Sequence, residues 1–278
     1  MKRSLALLLA AALLLCAGGC ASAVPDPDVI RPGVPEAPTP SGAPEETPTP
    51  DITCVAPEYW RMKIVRVDDD SVLAVNTEDD GAPGLSRISV RDGAVYREGE
   101  QGTLPFETLR PGMLVQVLGV GPVDAIYPAQ FETGSVEILD DGDDLVGLYL
   151  QVIRDLWEVD PGLNGGIVRL GFDFANAGLS DWERQALEYL AGQALGLPYV
   201  TGTRRELADQ GYIDMEHLYW EDGLFFSLEL VGEMEGEQFT FRGEKWRSGL
   251  GAIIYGGCRA EKGEDGAWNY TVVEMAIS

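Results

Sequence analysis

The residue types best suited to chemistry in this chain fall into a few short stretches. Its single histidine, His217, stands in "YIDMEHLYWED" with Asp214, Glu216 and Asp222 around it, types that hold a metal or move a proton. A zinc site needs more His or Cys ligands than this neighbourhood supplies, so His217 reads as a surface or loop residue. The stretch "RGEKWRS" gathers Arg242, Lys245, Trp246 and Arg247 into a basic island with an aromatic among its cations. On a strand, Lys245 and Arg247 would share one face and Trp246 would take the other, making an edge for a carboxylate, a phosphate or an acidic partner. The competing reading pairs these charges with Glu235, Glu237 or Glu244 on a solvated sheet face.

Acidic runs at 68–70, 78–81 and 140–144 invite calcium. None has the D-x-D-x-D-G spacing with a distal Glu that an EF-hand loop requires, and Asp and Gly are also what tight turns prefer. No G-x-S-x-G elbow, P-loop or dinucleotide fingerprint occurs. The sequence therefore assigns no catalytic residue, no metal ligand and no cofactor.

Two of the four cysteines, Cys16 and Cys20, stand in "LLLCAGGCAS" at the edge of an apolar run, 5–15, that follows Lys2 and Arg3. That run is a signal-peptide core, shorter than the about 20 apolar residues that span a bilayer. Ala17-Gly18-Gly19 leading into Cys20 resembles the lipobox of bacterial lipoproteins, with Ala17 where those proteins usually carry Leu. The resemblance implies a signal peptide over 1–19 and a diacylglyceryl group on Cys20. Such an anchor would hold the protein at the outer face of the cytoplasmic membrane. Ala21-Ser22-Ala23 offers ordinary signal peptidase an A-x-A site instead, and cleavage after Ala23 would give a soluble secreted protein. Residues 21–50 are dense in Pro with Thr, Glu and Asp and nearly without large apolar groups, so residues 20–54 read as a lipidated cysteine and a disordered, extended tether.

The formal net charge is −26, against which nucleic acid and anionic membrane surfaces are poor partners. Compatible partners are an envelope protein, a small ligand, a cationic peptide or a cation. Cys54 and Cys258 remain outside the leader and are candidates for a disulfide in an exported protein, although two cysteines make no disulfide scaffold.

Two domains are expected to display this chemistry. In the first, 55–139, Met62 and Ile64 alternate with Arg61 and Lys63, and further short strands near 72–77, 85–90, 110–120 and 134–139 are separated by turn residues. Five short strands suggest a small antiparallel barrel of OB type. "WRMKIVRVDDDSVLAV", "LRPGMLVQV" and "YPAQF" resemble an uncharacterised family of small β-barrel domains on exported proteins of Gram-positive bacteria. That resemblance implies an envelope location and carries no catalytic residues.

In the second domain, 143–278, Leu145, Leu148, Tyr149, Val152, Ile153 and Leu156 form the stripe of an amphipathic helix. Val168, Leu170, Phe172 and Phe174 then alternate as the buried face of a strand. Ser180 with Glu183 and Thr203 with Glu206 read as capping boxes opening two more helices, the first with Trp182, Ala186, Leu187, Leu190 and Ala194 as its apolar stripe. Four strands in succession follow, predicting an α+β domain whose helices pack on one side of an antiparallel meander. The element order resembles cystatin-like and NTF2-like folds, which host enzymes, binders and adaptors alike. The functional expectation is a membrane-anchored extracytoplasmic binding or adaptor module of the envelope, with no enzymatic role. Its rival is a carboxylate-dependent enzyme acting on cell-wall sugar, which needs two carboxyl groups facing one cleft.

Overall fold

A computed structural model describes residues 59–78, 82–90, 93–124, 126–263 and 266–278. Cys16, Cys20, Cys54 and the tether lie outside the described residues.

Alternation at Tyr59–Val67 gives strand β1, with Met62 and Ile64 fully buried and Arg61 exposed opposite them. Strands β2 (Ser71–Asn76), β3 (Leu85–Ser89), β5 (Leu114–Asp124) and β6 (Ala129–Asp140) complete a closed five-stranded barrel in the order β3-β2-β1-β5-β6. The closing seam is parallel: Ser86 to Ser89 of β3 run beside Ala129 to Glu132 of β6. A short strand absent from the sequence reading, β4 (Ala94–Arg97), pairs in parallel with the end of β6. Met62, Ile64, Val72, Ala74, Val115 and Val136 fill the interior.

Strand β2 is buried at all six positions, as its unbroken apolar run requires. Val72 and Ala74 point into the barrel, whereas Leu73 and Val75 join a second core built by the following helices. That core runs from Val65, Leu73, Val75 and Leu85 of the barrel wall through helix α1 (Leu145–Glu158) and helix α2 (Asp181–Leu195) into the second sheet. The described residues from 59 to 278 accordingly form one compact unit across the boundary expected near 140.

The second sheet contains β7 (Arg169–Asn176), β8 (Tyr199–Thr201), β9 (Gly223–Glu235), β10 (Gln238–Ser248), β11 (Gly251–Lys262) and β12 (Trp268–Ile277), in the order β12-β11-β10-β9-β7-β8. The four final strands are the expected antiparallel meander. The sheet as a whole is mixed, because β7 runs parallel to β9 and β8 runs parallel to β7. A crossover through α2 returns the chain in the same direction, and parallel strands need a connection of this kind.

Helix α1 buries all six residues of its sequence stripe. Both capping boxes form: Ser180 Oγ accepts from Glu183 N at 3.3 Å, and Thr203 Oγ1 accepts from Glu206 N at 3.2 Å at the start of α3 (Arg204–Asp209). The expectation that every helix lies on one side is corrected by adjacent strand residues. Phe226 of β9 belongs to the core with α1 and α2, while its neighbour Phe225 packs with Leu207 of α3, Trp220 and Trp246 on the opposite face. Val168 and Trp182, assigned to buried faces by spacing alone, are exposed. Among the described residues no helix is long and apolar enough to cross a membrane.

Candidate functional site

The basic island does not form one surface. Lys245 is fully buried and donates from Nζ to the carbonyl oxygens of Trp157 at 3.0 Å, Val159 at 2.7 Å and Asp160 at 3.2 Å. These carbonyls end α1, where intrahelical partners run out and the helix dipole favours a cation. Burial pushes the ammonium down to about 8, against the pull of Asp160 and Glu158. Arg247 likewise donates to the carbonyls of Leu163 at 2.9 Å, Gly165 at 2.6 Å and Glu221 at 2.7 Å. Trp246 is buried on the opposite face with Arg204 over its ring at 5.4 Å. Arg242 alone is exposed, reaching Gly256 O at 3.3 Å and Glu229 at 3.8 Å.

His217 is an exposed turn residue whose Nδ1 lies 2.7 Å from Asp214 Oδ2, and Asp214 also accepts from the His217 and Glu216 N–H groups. Cys258 is fully buried, its thiol free among the described residues and pushed up to about 12 by burial. The acidic runs serve the fold: Asp68 pairs with Arg66 and Arg87, and Glu78 with Arg61. Asp141 binds Arg97 at 3.1 Å and Arg110 at 3.3 Å, Asp143 meets Lys63 at 3.4 Å, and Asp144 caps α1 by accepting from Gly147 N at 2.8 Å. Among the described residues no three His, Cys, Asp or Glu side chains converge to hold a metal ion.

Among the described residues, two of the clefts bear on chemistry. The larger, about 670 Å³, lies where the barrel exit at 141–144, the first turns of α1 and the β11–β12 hairpin meet. Gln151, Lys262, Trp268 and Asn269 line it. Its acidic groups Asp141 and Asp143 are ion-paired with the partners just given, and Lys262 Nζ donates to Gly142 O at 2.9 Å. Asp155, below the cleft, accepts from Gln151 at 2.8 Å and from the Tyr270 hydroxyl; burial first, then this carboxylate, raises the phenol. Trp268 packs edge-on to Phe239, 5.1 Å between centroids, and its indole N–H is buried without a hydrogen-bond acceptor. A buried unpaired donor is costly, so it marks this wall as incomplete.

The smaller cleft, about 550 Å³, lies between α2, β7 and the β8–α3 turn, with Asp173, Arg184, Glu188, Thr201 and Glu206 on its walls. Glu188 is 8 % exposed, its nearest cation is Arg184 at 3.9 Å, and burial pushes its carboxyl up to about 7 against that guanidinium. Neither a family model nor a curated protein matches the chain.

Sequence reasoning named the acidic run at 140–144, Phe172, Phe174, Thr203 and Glu206 without seeing a cleft, and singled out neither Glu188 nor Trp268. Glu188 stands in "ALEYLAG", and its only signal is the lack of a basic residue at i+4, where Gly192 stands. Trp268 opens β12, and its cleft depends on a barrel loop and a helix distant in sequence.

Proposed function

We propose that this chain is an exported binding module of the cell envelope, anchored through a lipid on Cys20, whose larger cleft holds a neutral, hydroxyl-rich ligand of saccharide size. The observation that carries the reading is that the carboxylates of that cleft are already ion-paired within the protein. A charged ligand would meet Asp141 and Asp143 already ion-paired and Lys262 already donating to Gly142 O, so it gains less there than it would at unengaged charges. An uncharged polyol displaces none of these partners, and it brings both apolar C–H faces for Trp268 and hydroxyls for Gln151 and Asn269.

The barrel supports the same reading in outline. The closed five-stranded barrel, with its β1–β2–β3 meander and parallel β3–β6 seam, supports an OB-type reading, a fold used for oligosaccharides as well as oligonucleotides, and the acidity of this chain disfavours the latter. The anchor rests on the apolar run at 5–15 and the small residues before Cys20.

Titration calorimetry with N,N′-diacetylchitobiose and maltose tests the ligand class. Saturable heat with either sugar, abolished by Trp268→Ala and weakened by Gln151→Ala, is the expected result. Absence of heat with both overturns the saccharide reading. The anchor is tested separately, by incorporation of an alkyne-tagged fatty acid that Cys20→Ala must abolish.

A further inference from the structure

We propose that the outer face of the barrel, where β1, β5, β6 and β4 lie side by side, holds a second binding site, for a guanidinium group presented by a protein partner, with Glu137 and Gln116 as its acceptors and Tyr59 and Tyr96 as its aromatic walls. This inference does not depend on the saccharide cleft, with which the site shares no lining residue.

Strand register builds the site. Arg61 of β1 stands opposite Gln116 of β5, Gln116 opposite Glu137 of β6, and Glu137 opposite Tyr96 of β4, so these four side chains form one row across four strands. Their neighbours in sequence, Met62, Val117, Val136 and Val95, fill the barrel core, which puts the row on the outer face. Tyr59, two residues before Arg61 on an unshifted stretch of β1, projects on the same side. Tyr59 is 55 % exposed and Tyr96 39 %, and together with Gln116, Ser135 and Glu137 they line a cleft of about 260 Å³.

The unengaged groups of this cleft are acceptors. Among the described residues, neither Glu137, nor Gln116, nor either tyrosine hydroxyl has a side-chain hydrogen bond or ion pair. The cations beside them are taken: Arg97 donates to both oxygens of Asp141, at 3.2 and 3.1 Å, and lies 3.8 Å from Glu100, while Arg61 holds Glu78 at 3.1 Å. Glu137 is thus left as a carboxylate of the cleft wall that no described cation neutralises.

A planar cation answers this arrangement. A guanidinium carries five donors in a fixed fork, gives two of them to one carboxylate and others to the Gln116 carbonyl and the phenol oxygens, and stacks on tyrosine faces that stand open to solvent. An ammonium offers three donors and no plane to stack. An anion would meet Glu137 and Glu100 with no free cation to receive it. A metal ion would find no three carboxyl, His or Cys groups together among the described residues. The net charge of −26 draws a basic partner to the chain as a whole, and the row fixes where its arginine docks.

The test uses the whole protein labelled with 3-fluorotyrosine, the fluorine signals of Tyr59 and Tyr96 being assigned from Tyr59→Phe and Tyr96→Phe. Titration with the peptide acetyl-Gly-Arg-Gly-amide should shift both signals saturably. Its citrulline analogue, which keeps the planar shape and loses the charge, should shift neither, and its lysine analogue should bind about threefold more weakly. Glu137→Gln, an isosteric change at an outward position, should weaken the arginine peptide about fivefold, the scale of a solvent-exposed ionic contact. No saturable shift of Tyr59 or Tyr96 with the arginine peptide overturns the proposal, and so does equal binding of the citrulline or the lysine analogue. Undiminished binding by a Glu137→Gln variant that melts with the wild type overturns it as well.

Discussion

Lys63 of β1 lies 2.7 Å from Glu183 of α2, so a barrel strand and the capping residue of a helix in the following layer share one ion pair. Both side chains are largely buried, and Glu183 also closes the capping box with Ser180. Burial alone would raise the Glu183 carboxyl, but Lys63 and Ser180 outweigh it and hold it below its ordinary value.

Lys63→Met should therefore cost on the order of 1–3 kcal/mol, the penalty of leaving a buried acceptor uncompensated. The pH dependence has a definite sign. A depressed carboxyl contributes stability that is present above its unfolded value of 4.5 and lost as pH falls through its folded value. Chemical denaturation of wild type and Lys63→Met at pH 7 and pH 3.5 should show the difference between them shrinking at the lower pH.

Gly84 tests the same junction by shape. A Cβ there would stand 2.1 Å from Cζ3 of Trp182, so Gly84→Ala must displace the indole from the barrel surface. The expected loss is about 1–3 kcal/mol with a shifted tryptophan emission. Gly165, with an ordinary φ of −69° and its nearest neighbour 3.5 Å away, should accept Ala with little change.

Lys245 should behave as a structural cation. Lys245→Met leaves three carbonyls at the end of α1 without their donor and should destabilise by about 1–3 kcal/mol. Because its folded value is depressed to about 8 from 10.5, the unfolded chain holds more protons between those limits. The lysine's net contribution to stability must therefore increase as pH rises from 8 to 10. Melting curves of wild type and variant across that range should diverge in favour of wild type.

Cys258 should resist alkylation. Its thiol is fully buried and pushed up to about 12, so iodoacetamide at pH 8 should leave it unmodified in the native protein. In denaturant without reductant it should react completely; failure there, reversed by dithiothreitol, would reveal a disulfide, whose partner peptide mapping would test against Cys54.

Much of this architecture is legible in the sequence because its signals are local. Two capping boxes, the stripe of α1 and the alternation of β1 each depend on residues within one element. Strands β4 and β8 are too short for alternation to register, and both pair with partners distant in the chain. The basic island misleads for a related reason: Lys245 is charged to serve carbonyls that lie more than eighty residues away, and nothing near it in sequence shows them. Glu188 and Trp268 acquire meaning only when neighbouring elements wall them in.

The parallel seam of the barrel bears on the order in which the chain acquires its structure. The β1–β2, β2–β3 and β5–β6 pairs join neighbouring segments, whereas β1–β5 and β3–β6 close long loops, and a parallel pair cannot start as a hairpin. Closure of the two long-range seams is therefore the slow event, whereas Leu73, Val75 and Leu85 already stand together on the locally paired β2–β3 ribbon. In that interval β3 and β6 hold unpaired edges beside exposed apolar side chains. Folding thus carries this protein through a stage in which two nascent copies compete with one another for the same seam.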